Sequence, residues 1–108
     1  MYQRRYARYP VHFRSTLTTP QIPEGSGTAV DLSIRGCRVQ SFIPVIPGIR
    51  VKLSIVVSEP DTVIEVDQAI VRWAIGQEFG LEFATISPEE FEKLTKFIQQ
   101  LPSVPHRG

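Results

Sequence analysis

From Val11 the chain alternates. Val11, Phe13, Ser15 and Leu17 share one side of an extended segment, and His12, Arg14, Thr16 and Thr18 share the other. Successive side chains of a strand point to opposite faces, so the pattern predicts a half-buried strand with His12 on the solvated face. Pro20, Pro23, Gly25 and Gly27 punctuate a loop, and a second strand follows in which Thr28, Val30 and Leu32 alternate with Ala29 and Asp31. A third strand covers residues 37–42 and is ended by Pro44, after which Pro47 and Gly48 predict a type II turn. Val51, Leu53, Ile55 and Val57 give the clearest alternation, a fourth strand with Lys52 and Ser54 outside.

A long fifth strand changes parity. Ile64 and Val66 share one face, whereas Ala69, Val71 and Trp73 share the other, and an extra residue near Asp67 and Gln68 reconciles the two as a bulge. Gly76 and Gln77 close a hairpin into Phe79, Leu81 and Phe83, with Glu82 outside. Six strands with short connections predict an antiparallel sheet closed into a barrel. The period then switches to that of a helix. Ser87 is an N-cap followed by Pro88, Glu90 completes a capping box, and Ile86 is placed to staple against Phe91. Phe91, Leu94, Phe97, Ile98 and Leu101 form one apolar stripe that covers an open end or side of the barrel, and Glu89 with Lys93 and Glu92 with Lys96 pair on the outer face. Pro102 ends the helix, and residues 102–108 read as a mobile tail.

Composition narrows the function classes. The chain has 108 residues, 42% of them hydrophobic, enough for one modest core. No run reaches the roughly 20 apolar residues of a membrane-spanning helix and no apolar stretch follows the polar start, so the expected setting is cytoplasmic without membrane insertion, as a whole protein or as a domain of a longer one. Cys37, His12 and His106 cannot assemble a zinc set at usual spacings, and no cofactor is implied. A catalytic site is not expected either: Cys37 has no evident base, Ser33 lies far in sequence from both histidines, and the carboxylates are scattered.

Charge is informative only locally. The formal net charge is +1, yet no acidic residue precedes Glu24, so Arg4, Arg5, Arg8 and Arg14 make the first two dozen residues purely cationic. Pro10 disfavours a helical conformation at Tyr9, which makes residues 1–10 an extended or irregular arm ahead of a barrel and helix spanning 11–101. Nine of the twelve basic residues are arginine, a hint of planar or bidentate recognition. The second local feature is the segment Asp31, Leu32, Ser33, Ile34, Arg35, Gly36, where two short polar side chains precede a glycine. Alone, it reads first as an ordinary Asx-type hairpin turn.

Together the arm and the turn resemble the PilZ domain, a bacterial receptor for cyclic di-GMP. Arg4 and Arg8 fill an R-x-x-x-R motif with Arg5 beside it, and Asp31, Ser33 and Gly36 fill a D-x-S-x-x-G turn; a Gly-Leu-Glu-Phe strand at residues 80–83 and a final helix follow. The resemblance implies a six-stranded antiparallel barrel with a carboxy-terminal helix, which agrees with the strand count made from periodicity. It also implies a ligand with two phosphates and two guanines. Arginine serves both, pairing with phosphate or with guanine O6 and N7, or stacking on a purine. Asp31 then accepts from guanine N1 and N2, Ser33 bonds to base or phosphate, and Gly36 leaves room for close approach. Trp73 is a further candidate, as a stacking surface for a base or as a packed core or rim residue. Arg35 and Arg38 either extend the basic rim or are solvated.

By the same resemblance the ligand signal passes to a downstream protein acting on motility, exopolysaccharide and biofilm formation, or virulence. Two alternatives stay open: a PilZ-type protein-interaction module that binds no nucleotide, and a small barrel binding single-stranded nucleic acid. Against the second, and against DNA, the basic residues gather in the arm while the strands carry about as many acids.

Overall fold

The computed structural model of the protein describes residues 7–58 and 62–101. Its elements are β1 (Tyr9–Thr18), β2 (Gly25–Leu32), β3 (Gly36–Gln40), β4 (Arg50–Ser58), β5 (Thr62–Ile75), β6 (Glu78–Thr85) and α1 (Pro88–Gln100). The six strands are antiparallel and close into a barrel in the order β1-β2-β3-β6-β5-β4, with β4 returning to β1. Expected hairpin neighbours pair at β1–β2, β2–β3, β4–β5 and β5–β6, but β3 lies beside β6 rather than β4. Residues 41–49 make that crossing. They turn through Pro47 and Gly48, where Gly48 takes φ 98° and Ile49 N–H donates to Ile46 O, and Ser41 N–H is tied to Gln77 O at 2.9 Å.

The alternation seen in β1 and β4 is the alternation of burial. Leu17, Leu53 and Ile55 are fully buried, as are Leu32, Ile64 and Val66 from neighbouring strands, and His12 is exposed. In β2 and β5 an extra residue changes which side chains face the core. In β2, Ala29 pairs with Val39 and Asp31 with Arg38, so Val30 is the bulged residue and it is Ala29 and Leu32, not Val30 and Leu32, that face the core. In β5 the bulge at Asp67 and Gln68 falls where parity required it, and a second irregularity lies between Val71 and Trp73. That second extra residue separates Trp73 from the inner face held by Ala69 and Val71.

The helix packs Leu94 and Ile98 into the core, and Phe97 meets Phe13 of β1 edge to face at 5.5 Å. Phe91, expected in the same stripe, is 40% exposed. Ser87 caps the helix by accepting from Glu90 N–H. The Glu90 carboxylate does not complete the box; it accepts from Glu65 N–H of β5 at 2.8 Å and so fastens the helix to the barrel. Lys93 pairs with Glu90 and donates to Val63 O, rather than pairing with Glu89, while the Glu92–Lys96 pair forms as expected. Arg4, Arg5 and the tail at 102–108 lie outside the described residues. The strand β1 already begins at Tyr9, within the segment expected as arm.

Candidate functional site

The turn between β2 and β3 is built by its own side chains. Ser33 N–H donates to Gly36 O at 2.9 Å, and the Ser33 hydroxyl accepts from the N–H groups of Arg35 and Gly36 at 3.1 and 3.2 Å. Ser33 is 1% exposed, and its hydroxyl shapes the turn. Gly36 has ordinary negative φ, and its bare Cα is needed for a different reason: a Cβ there would overlap the Leu81 carbonyl of β6. The close approach expected at this glycine is that of a neighbouring strand.

Asp31 joins the arm to this turn. Its Oδ1 accepts from Arg8 Nη2 at 2.9 Å and from Arg38 N–H at 3.1 Å, and its Oδ2 takes Arg8 Nε at 3.5 Å. Arg38 Nε lies 3.3 Å from Oδ2 but is poorly aimed, an ion contact rather than a hydrogen bond, and has no other acceptor. Arg38 Nη1 reaches Glu78 at 3.3 Å, and Glu78 also accepts from Gln40. The Asp31 oxygens are therefore occupied by two arginines and one backbone donor. The acceptors that the resemblance directs to guanine hold Arg8 and Arg38 in this structure.

A cavity of about 300 Å³ opens beside this pair, lined among others by Arg8, Arg35, Arg72, Trp73, Gly80 and Glu82. The register explains its floor. Arg38 and Trp73 flank Gly80 on opposite sides, and the Trp73 indole leans over Gly80, where a Cβ would overlap its ring nitrogen. The far wall is an ion triad: Glu82 takes Arg72 Nε at 2.5 Å on Oε1 and Arg35 Nη2 at 3.3 Å on Oε2. The hydrogen bond from Arg72 outweighs the opposing effect of burial, and with the Arg35 contact holds the Glu82 carboxyl below the usual range. Cys37, beneath the floor, is a packed thiol. Burial, and secondarily Asp31, push it up to about 12 against the pull of Arg8, so it is protonated at neutral pH.

Of the residues singled out from sequence, Arg8, Asp31, Gly36 and Trp73 come together here, Ser33 supports from below, and Arg35 and Arg38 are paired rather than merely solvated. Sequence reading missed Arg72 and Glu82. The signal for Glu82 was present, since it lies two residues from Gly80 on the outer face of one strand. Arg72 had none, because the irregularity that aims it is set by pairing with β6. No group of three or more His, Cys, Asp or Glu among the described residues could hold a metal ion, and no described helix is long and apolar enough to cross a membrane.

Comparison with known proteins agrees with the fold. A solved structure of the Bacillus subtilis inhibitor of motility (MotI/DgrA) superposes with a TM-score of 0.76 at 19% identity, over 93% of this chain and 52% of that one, so the chain spans about half the length of that relative. The PilZ domain of CeSA from a cellulose-synthesizing bacterium superposes with a TM-score of 0.67 at 12% identity, over 86% of this chain and 95% of that one. A search of curated protein sequences found no match. The model of the PilZ domain family matches residues 2–100, and with the closed six-stranded barrel and its carboxy-terminal helix in place, the chain belongs to the PilZ domain family.

Proposed function

We propose that the protein is a receptor for cyclic di-GMP that holds the dinucleotide between the R-x-x-x-R arm at Arg4, Arg5 and Arg8 and the D-x-S-x-x-G turn at Asp31, Ser33 and Gly36. The observation that carries this reading is the Arg8–Asp31 pair at 2.9 Å, which joins the two motifs beside a cavity walled by arginines and a tryptophan. Such a site offers guanidinium groups for phosphate and for guanine O6 and N7, and an indole for a purine face. At about 300 Å³ the cavity has room for a nucleobase, so the rest of the ligand lies toward the arm. Arg8, more than half exposed, is free to swing onto a phosphate while Asp31 stays with Arg38.

In this reading the domain acts by passing occupancy to a downstream protein. The names of two solved structures, an inhibitor of motility and a protein from a cellulose-synthesizing bacterium, support a downstream protein in motility or in exopolysaccharide and biofilm formation over one in virulence. The adaptor reading involves no catalysis, and its setting is the cytoplasm, where the second messenger is made. Titration of cyclic di-GMP by calorimetry tests the reading. Micromolar or tighter binding is expected, abolished by Arg8→Ala in a folded variant. Flat heats for folded wild type would reject it and leave a nucleotide-independent interaction module.

A further inference from the structure

Guanine has a recognition edge beyond O6 and N7: the N1–H and the exocyclic N2 amine, two adjacent donors that need a paired acceptor. Asp31 is the acidic residue of the turn, but with Arg8 turned onto a phosphate its oxygens still hold Arg38 N–H and lie against Arg38 Nε, and its side chain is only 16% exposed. The cavity contains another carboxylate. Glu82 lines it directly, and its side chain is 34% exposed.

Its position suits a base. Glu82 lies two residues from Gly80 along β6, roughly 7 Å at strand spacing, and on the same face of the sheet. Trp73 leans over Gly80, so its ring and the Glu82 side chain share one outer surface and both border the cavity. The carboxylate also has capacity to spare. Arg72 occupies one site on Oε1 and Arg35 one on Oε2, whereas a carboxylate presents about four lone-pair sites. The two arginines restrict its rotation, and by keeping it ionised they make it an acceptor only.

We infer that Glu82 is the specificity-determining residue of the cavity, accepting from N1–H and the N2 amine of a guanine that lies against Trp73. This rests on the cyclic di-GMP reading and deepens it. Adenine presents a bare N1 acceptor and no amine at this edge, so it meets the carboxylate with repulsion. Hypoxanthine keeps N1–H but lacks the amine, so one acceptor position is left unmatched. The negative charge also turns the phosphates away from this wall, toward Arg8. The order of affinity is therefore guanine, then hypoxanthine, then adenine, because a site built to accept a donor loses most when the donor is missing.

The test is a calorimetric titration of wild type, Glu82→Gln and Glu82→Asp with the cyclic dinucleotides carrying guanine, hypoxanthine and adenine bases, each variant first checked for a native thermal transition. Wild type is expected to favour guanine over hypoxanthine by about tenfold or more. In Glu82→Gln, whose amide nitrogen opposes one base donor, and in Glu82→Asp, whose carboxylate is one methylene short, the ratio falls to about threefold or less. Equal wild-type affinity for guanine and hypoxanthine overturns the inference without reference to any variant. So does a uniform change across all three ligands in both variants with the ratio kept, which would mean that Glu82 serves only to hold Arg35 and Arg72. Binding with an unchanged ratio rejects this inference alone, while absence of cyclic di-GMP binding by wild type rejects the receptor reading together with it.

Discussion

The indole of Trp73 rests over Gly80, its partner on the adjacent strand, in a space that any side chain at residue 80 would fill. Trp73 is 36% exposed and borders the cavity, so the glycine is what lets an aromatic surface lie beside the arginines. Base–aromatic stacking is worth about 1–3 kcal/mol by alanine substitution, and Trp73→Ala is expected to weaken cyclic di-GMP binding by roughly 5- to 150-fold. Gly80→Ala lifts the ring and should weaken binding in the same direction. Because the chain has one tryptophan, ligand-dependent fluorescence reports on it directly, and unchanged affinity in both variants would remove Trp73 from the site.

Arg8 and Asp31 are expected to separate stability from binding. The Arg8 side chain is 54% exposed, and such pairs contribute about 0–1 kcal/mol, so Arg8→Ala should fold almost as stably as wild type while losing ligand. Asp31→Ala removes the acceptor of Arg38 N–H and the contact of a buried Arg38 Nε. It should cost about 1–3 kcal/mol as well as binding. Denaturant midpoints of the two variants, measured side by side, decide the matter; equal midpoints would contradict the assignment of Asp31 as the anchor.

At Gly36 the expected effect is on the fold. A methyl group would meet the Leu81 carbonyl, a backbone group that can withdraw only if β3 and β6 part, and overpacking of this kind costs about 1–3 kcal/mol or more. Gly36→Ala should lower the thermal midpoint measurably. A loss below about 0.5 kcal/mol would show that the strands yield freely there.

Acid sensitivity should trace in part to Glu90. Burial raises its pKa, but the hydrogen bond from Glu65 N–H and the Lys93 ammonium outweigh it, so the folded pKa lies below the unfolded one. In the window between them the unfolded state binds more protons, and stability rises with pH. The contribution is thus complete above the ordinary carboxylate range and lost as pH falls through the lowered folded value. Glu90→Gln keeps an acceptor for Glu65 N–H but removes the charge, and should flatten the acid limb of a stability–pH curve.

Docking of the helix depends on Leu94, which is fully buried against the barrel. Truncation of such a residue leaves a cavity and costs about 2–5 kcal/mol, so Leu94→Ala should unfold at clearly lower denaturant. Phe91→Ala, at a position 40% exposed, should cost a fraction of that, and the contrast checks which part of the apolar stripe is buried.

What the sequence determined by itself was the set of features encoded in neighbouring residues. The alternation at Val51, Leu53, Ile55 and Val57, the bulge at Asp67 and Gln68 and the capped helix from Pro88 each follow from the local period of a strand or a helix, and each is present. The two motifs were legible for the same reason, as short spacings within one stretch of chain.

Tertiary structure alone decided which strands meet and what each side chain finds there. The pairing of β3 with β6 closes a loop of some forty residues, and no local period records it. From that pairing come the close approach at Gly36 and the reach of Arg35 to Glu82, while the place of Trp73 over Gly80 and of Arg72 on Glu82 comes from the register of β5 against β6. The extra residue between Val71 and Trp73 is likewise a property of register, and it moved the tryptophan off the inner face that simple alternation gave it. Asp31 shows the limit most directly: its residue type announced an acceptor, and only folding revealed that Arg8 and Arg38 had already claimed it.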